Sequence, residues 1–512
     1  MKPIRLLSGL FTVGIWTLLS RVLGFVREAI ILSLIGPGPV MDAFVAAFRL
    51  PNMFRRFFAE GAFNAAFVPM FAKRLESDEG AAQFARDAFS GLALIVTLLT
   101  ALGMIFMPAL VWATAEGFNG DPRFDMTVGF GRIVFPYILF MSLSALFSGI
   151  LNATGRFAVA AAAPVLLNIF VISSLTIAAL TGGDAIWWLV WAIPLAGVAQ
   201  LALTWYAARE AGFALTLSRP RWTPDMRDMV VIALPAAMAS GVMQINLVVG
   251  QLVASQYDKA VSWLFAADRL YQLPLGVVGI AVGVVLLPDL SRRLHAGDHD
   301  GARAGLSRAA EIALALTVPA AVALVIIPLT LVSVLFERGA SSVDDTAAIA
   351  TAVTIYALGL PAFVLQKILQ PLYFAREDTR RPFHFALATM AINASLAIGL
   401  APYIGWIAPA VATTIAGWAM YAMLAIGARR FGDAARFDAR FHKRIWRILI
   451  ASVALGVVLW FGNVVMQPFL GLPWWRGLAL LVLLSLGAIS YFGIGQLIGA
   501  VRLSEFKGAM RR

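Results

Sequence analysis

The chain contains no cysteine. That excludes disulfides, thiolate metal sites and cysteine nucleophiles. Charge is also scarce: Asp, Glu, Lys and Arg make up 13% of 512 residues, where a soluble domain carries about 25%. Histidine is scarcer still. His295, His299, His384 and His442 all lie beside basic stretches, and none stands at metal-ligand spacing from a carboxylate. No metal site is therefore expected, nor any cofactor. The P-loop, nucleophile-elbow and metalloprotease signatures are missing as well, so an ATP-driven pump would need a separate subunit. The N-terminus has Lys2, Arg5 and an apolar run but no small-residue cleavage site, so the first run reads as a retained span rather than a signal peptide.

Hydrophobic residues fill the space, at 61% with a mean hydropathy of +0.84. This is a membrane protein by composition. A span needs about 20 mostly apolar residues, and about fourteen such stretches can be counted. They lie near 8–33, 41–72, 86–112, 127–151, 158–180, 185–208, 229–255, 260–290, 309–335, 346–373, 383–401, 405–427, 445–467 and 475–500. The predicted class is an all-α polytopic membrane protein. The net charge of +12 suits cytoplasmic loops enriched in Lys and Arg better than a nucleic-acid partner. One set of loops carries Lys73/Arg74, Arg156, Arg219/Arg221/Arg227, Arg292/Arg293, Arg376/Arg380/Arg381, Arg429 to Arg447 and Arg511/Arg512. The alternate set, "GPGPV", "AEGFNGDPRFD", "TGGD", "YDK", "ERGASSVDD", "PYIGW" and "QPFLGLP", is neutral, acidic or nearly balanced. The alternation predicts both termini in the cytoplasm.

An internal repeat runs through the chain at an offset of about 220 residues. It sets Arg49 over Arg269, Pro69 over Pro288, Arg156 over Arg381 and Asn168 over Asn393. An even number of spans per repeat gives two parallel helical bundles related by a pseudo-two-fold axis along the membrane normal, a transporter's architecture. The predicted division is 1–222, 223–436 and an additional C-terminal helix pair at 437–512.

Within the apolar stretches stand ionisable residues, each costing about 2.5–3.5 kcal/mol at a bilayer centre and each a candidate for a substrate path. "SRVLGFVREAI" holds Arg21, Arg27 and Glu28; Gly24 is read as a point where the helix bends to bring both arginines inward. The next stretch holds Asp42, Arg49, Asn52, Arg55, Arg56 and Glu60, with Pro51 among them; the eighth holds Asp268 and Arg269. At about 100° per residue, Asp42, Arg49, Arg56 and Glu60 share a stripe that Arg55 joins only through a kink. The cationic surplus suits an anion with more than one charge, because arginine's planar fork matches phosphate oxygens. Competing readings are arginines that snorkel to a headgroup layer and internal pairs, Asp42 with Arg49 or Arg27 with Glu28, that only support packing.

The stretches "SRVLGFVREAI", "DAFVAAFRLPNMFRRFFAEGAFNAAFVPMF", "FPYILFMSLSALFSGILNATGRFAVAAAAPVLLN" and "ADRLYQLPLGVVGIAVGVVLLP" closely resemble the MurJ/MviN family of bacterial lipid II flippases, within the multidrug/oligosaccharidyl-lipid/polysaccharide exporter superfamily. The resemblance implies two six-helix lobes plus a C-terminal pair that forms a groove for a lipid tail. It implies a non-enzymatic transporter in the inner membrane that moves lipid II, the undecaprenyl-pyrophosphate-linked peptidoglycan precursor, from the cytoplasmic to the periplasmic leaflet. Family positions important for transport match Arg21, Arg27, Asp42, Arg55 and Arg269. The family pattern has Asp where this chain has Glu28. Some members bind sodium in the second lobe; the matching helices here offer Asn246 and Asn393 without a carboxylate, which leaves a sodium site without acidic ligands. Membrane potential or an ion gradient is the expected driving force, a monomer the expected state, and membrane lipids with cell-wall synthesis and division proteins the expected partners. The alternatives are a drug/cation antiporter or another polyprenyl-linked oligosaccharide exporter of the same superfamily, a membrane enzyme acting on a polyprenyl phosphate, and a scaffold for lipid-linked intermediates.

Overall fold

The computed structural model describes residues 6–55, 63–77 and 80–501. Every regular element among them is helical. Among the described residues, nine helical stretches are long and apolar enough to cross a membrane. Helices fall on each of the apolar runs. They are α1 (Leu6–Leu34), α2 (Pro39–Arg55), α3 (Phe63–Ser77), α4 (Ala81–Ile105), α5 (Met107–Thr114), α6 (Pro122–Val134), α7 (Tyr137–Ala153), α8 (Phe157–Thr181) and α9 (Ala185–Glu210). Then follow α10 (Pro224–Ser255), α11 (Ala260–His295), α12 (His299–Ile326), α13 (Pro328–Phe336), α14 (Val343–Phe374), α15 (Arg380–Ile404), α16 (Ala408–Ala428), α17 (Ala439–Leu470) and α18 (Arg476–Ile498).

Proline explains where a run became two helices. Pro108 opens α5 after a break at Phe106, Pro328 opens α13 after a break at Ile327, and Pro136 separates α6 from α7. Proline has no backbone donor and its ring crowds the preceding turn. The breaks at Pro108 and Pro328 stand one repeat offset apart, and the short helix after each is of similar length. The repeat therefore carries local conformation as well as sequence.

The chain divides into two compact units, Met1–Ser262 and Trp263–Arg512. In the first, α1 lies along α8, α7 packs against α9, and α2 packs against α6. Phe63, Phe67 and Phe84 stack face to face at 5.1–5.7 Å between centroids, within a core shared by α3, α4 and α7. Such pairs add about 0.5–1.5 kcal/mol each beyond burial. α10 packs on α3 and α5, so it belongs to this unit by contact.

In the second unit α14 packs against α12 and α16, and α17 against α12 and α18. The C-terminal pair is held by a buried ion pair. Glu311 on α12, 2% exposed, accepts from Arg444 Nη1 at 2.9 Å and faces Arg440 at 3.4 Å. Arg444 Nε donates to the Ala500 carbonyl at 2.8 Å, and the Tyr491 hydroxyl donates to the Ala315 carbonyl at 2.6 Å. Removing Arg444 leaves buried Glu311 with Arg440 alone, at part of the roughly 3–5 kcal/mol that breaking a buried pair costs. Arg444→Ala is therefore expected to loosen α17 and α18 and lower the melting temperature in detergent. Arg444→Ala combined with Glu311→Gln should recover most of that loss.

Candidate functional site

The stretch "SRVLGFVREAI" lies in the C-terminal half of α1. The helix runs unbroken through Gly24, where the sequence suggests a bend. A Cβ there would stand 3.7 Å from Asn168 Oδ1, an ordinary van der Waals contact, so α8 lies against α1 at that point. Arg27 is 13% exposed. Its Nη2 donates to Glu28 Oε1 at 2.6 Å and its Nη1 to Asn168 Oδ1 at 3.0 Å. Asn168, not singled out as a site residue by the sequence, in turn donates to the Ser20 carbonyl at 2.9 Å. Arg27 thus stands inside an ion pair, as one competing reading had it. Yet these bonds use only two of the guanidinium's five N–H groups, and the fork keeps donors for a further anion. Arg21, on the same helix, is exposed, whereas Glu28 is buried.

On α2, Arg49 and Arg55 are half-buried, and Pro51 sits within a helix that continues to Arg55. Asn52 turns back on its own helix and donates to the Phe48 carbonyl at 3.1 Å. Arg56 and Glu60 lie outside the described residues.

Asp42 is placed differently from the stripe suggested by the helical wheel. It is 0% exposed. Its Oδ1 accepts from the Ser262 backbone N–H at 2.8 Å, and its Oδ2 stands 3.6 Å from Arg123 Nη1. Arg123 gathers three carboxylates: Asp42, Asp121 at 3.0 Å and Asp258 at 3.3 Å. It also donates to the Tyr257 carbonyl and lies over the Phe118 ring at 4.7 Å. Nearby, Ser255 Oγ accepts from the Gly117 N–H at 3.1 Å, and Gln251 donates to the Thr114 carbonyl. These contacts clasp the start of α2 and the 115–125 loop to the turn between α10 and α11. All three lie beside the neutral and acidic loops. The hydrogen bond from Arg123 holds the Asp121 carboxyl below the ordinary carboxylate range. No motif or spacing marks this clasp, because Arg123 reads in the sequence as one more loop residue.

In the second unit, Asp268 accepts from Gln272, and the Arg269 guanidinium lies over the Phe265 ring at 4.5 Å. Tyr271 stacks on Tyr356 at 4.9 Å. Among the described residues, no group of three or more acidic or histidine side chains is arranged to hold a metal ion.

The same unit has an apolar groove of about 540 Å³ where α12, α14 and α17 meet. Val322, Ile326, Leu358, Pro361, Val457 and Trp460 line it. Val453, Val457 and Trp460 are each about 60% exposed and recur at helical spacing along one face of α17. An exposed apolar face of this kind is suited to lipid contact.

Comparison with known proteins bears on these features. The family model described as "Lipid II flippase MurJ" matches residues 31–475. The probable lipid II flippase MurJ of Rhizobium tropici is 41% identical, over 99% of this chain and 97% of its own length. The corresponding protein of Rhizobium meliloti is 43% identical, over 98% and 95%. A solved structure of lipid II flippase MurJ in an inward closed conformation superposes with a TM-score of 0.79 at 24% identity, covering 95% of this chain and 98% of that one. An inward-facing multidrug resistance MATE family transporter of the MOP superfamily gives 0.69 at 16% identity, over 81% and 95%, which is a likeness of fold. With a family model spanning most of its length and relatives above 40% identity throughout, this chain belongs to the lipid II flippase MurJ family.

Proposed function

We propose that this chain carries lipid II from the cytoplasmic to the periplasmic leaflet of the inner membrane, and that arginine side chains hold its pyrophosphate on the way. Membership of the family supports the substrate. The single structural observation that carries the mechanism is Arg27: a guanidinium in the C-terminal half of an apolar helix, fixed on two sides and still able to donate. Arg21, Arg49 and Arg55 of the same unit supply further cations. Glu28 acts as the resting counter-ion that a doubly charged headgroup displaces in part. Asn52 adds a polar group on α2.

The reading includes fourteen crossings, lobes at 1–222 and 223–436 related by a pseudo-two-fold, and both termini in the cytoplasm. The recurrence of the Pro108 and Pro328 breaks, and of buried Asn168 and Asn393, supports the lobes as copies. A monomer suffices. Outward movement of net negative charge is favoured by an inside-negative potential, by about 2.3 kcal/mol per charge per 100 mV. A bound anion that contacts one conformation better than the other shifts the equilibrium between them by that difference.

The groove lined by Val457 and Trp460 would take the polyprenyl tail, each buried CH₂ being worth about 0.8 kcal/mol. Val457→Trp, which fills an exposed position of the groove, is expected to slow transport of full-length lipid II about tenfold, the equivalent of roughly 1.4 kcal/mol. It should leave a short-tailed analogue unaffected, and paired assays with the two substrates in vesicles check this. The function itself is tested by reconstituting the chain in vesicles with labelled lipid II and measuring the label's exposure on the opposite leaflet. Exposure no faster than in protein-free vesicles would leave only a scaffold.

A further inference from the structure

Asn168 touches α1 at two places. Its Nδ2 donates to the Ser20 carbonyl, and its Oδ1 accepts from Arg27 Nη1. Ser20, Gly24 and Arg27 follow one another at spacings of four and three residues, so they form one stripe on α1. The amide lies against this stripe, and at Gly24, between the two contacts, a Cβ would stand 3.7 Å from its Oδ1, in ordinary contact. Its orientation is determined: the Ser20 carbonyl needs a donor, so the NH₂ faces Ser20 and the oxygen faces the guanidinium. Asn168 is 4% exposed and lies on α8, 141 residues from Arg27.

We infer that Asn168 is a positioning residue for substrate recognition: it holds the Arg27 fork ready for a diphosphate while adding no charge of its own. A free arginine side chain carries about 2 kcal/mol of rotamer entropy, and holding it in place beforehand removes much of that cost from binding. Glu28 alone cannot do this, because one carboxylate contact leaves the guanidinium free to pivot about it. A neutral acceptor on the other side fixes the plane and keeps the site cationic. The inference rests on the proposed reading of Arg27 as a headgroup ligand.

The test is lipid II binding to the purified full chain in detergent, with melting temperature measured alongside. Asn168→Leu keeps nearly the volume and removes both hydrogen bonds, and it is expected to weaken binding about tenfold. In an Arg27→Lys background, where no fork is left to orient, the same change should cost less than about twofold, since two residues acting through one contact are not additive. Asn168→Ser, which keeps at most one of the two bonds, serves if the leucine variant folds poorly, with the same expected direction. Wild-type binding by Asn168→Leu would overturn the inference. So would an equal loss in both backgrounds, which marks α1–α8 packing rather than a role through Arg27. Unchanged binding by Arg27→Ala would instead overturn the reading on which the inference stands.

Discussion

Arg27→Ala is expected to abolish growth support in cells depleted of their own flippase, at wild-type expression. Two charge-assisted hydrogen bonds to a diphosphate are worth about 1.5–3 kcal/mol each. Losing them weakens headgroup binding by two orders of magnitude or more, since about 1.4 kcal/mol is a factor of ten. A second effect must be separated from this one. The same substitution takes from the buried Glu28 carboxylate its 2.6 Å contact with Arg27, and a buried carboxylate that loses a cation costs stability as well. Arg27→Ala with Glu28→Gln removes that charge. The double variant should regain the melting temperature and still fail to transport. Arg27→Lys should fall between, because an ammonium keeps the charge and loses the fork. Recovery of transport by the double variant would mean that the pair only stabilises packing.

The second large effect is expected at Arg123. Arg123→Ala leaves Asp42 fully buried beside the Ser262 N–H without its cation. The penalty of about 3–5 kcal/mol falls on the clasped arrangement, and it shifts the equilibrium away from that arrangement by a factor of several hundred. The absence of cysteine makes the measurement direct. A pair of spin-labelled cysteines, one in the 115–120 loop and one at 256–258, should show a broadened, lengthened distance distribution in Arg123→Ala. Asp42→Asn on top of it should restore the wild-type distribution, because the amide oxygen still accepts from Ser262 and no charge is stranded. The clasp is also expected to yield in acid. Asp121 has its pKa lowered in the folded protein, so its contribution is present above the ordinary carboxylate pKa and is lost as pH falls through the lowered value.

Much of the helical layout was legible because a membrane span is a run of apolar residues, and such runs are visible without knowing what packs on them. The breaks were not. Pro136 and Pro328 lie inside runs whose hydropathy never falls, and the local loss of a backbone donor changes the helix without changing the apolar count. Among the charged residues, Arg27 and Glu28 stood out because nothing around them is polar. Asp42 stood out for the same reason, but a helical wheel relates it only to neighbours on α2. Its partners are Arg123 and Ser262, and no spacing rule joins residues so far apart in the chain. Asn168 was visible only as a repeated position, since asparagine carries no charge to draw attention in an apolar run.

A structure of the chain with lipid II bound tests the central claim most directly. Pyrophosphate oxygens should lie about 3 Å from the Arg27 guanidinium, the ordinary hydrogen-bond distance, with Asn168 still attached and Glu28 at least partly displaced. A pyrophosphate held elsewhere, with Arg27 still closed on Glu28, would contradict the account.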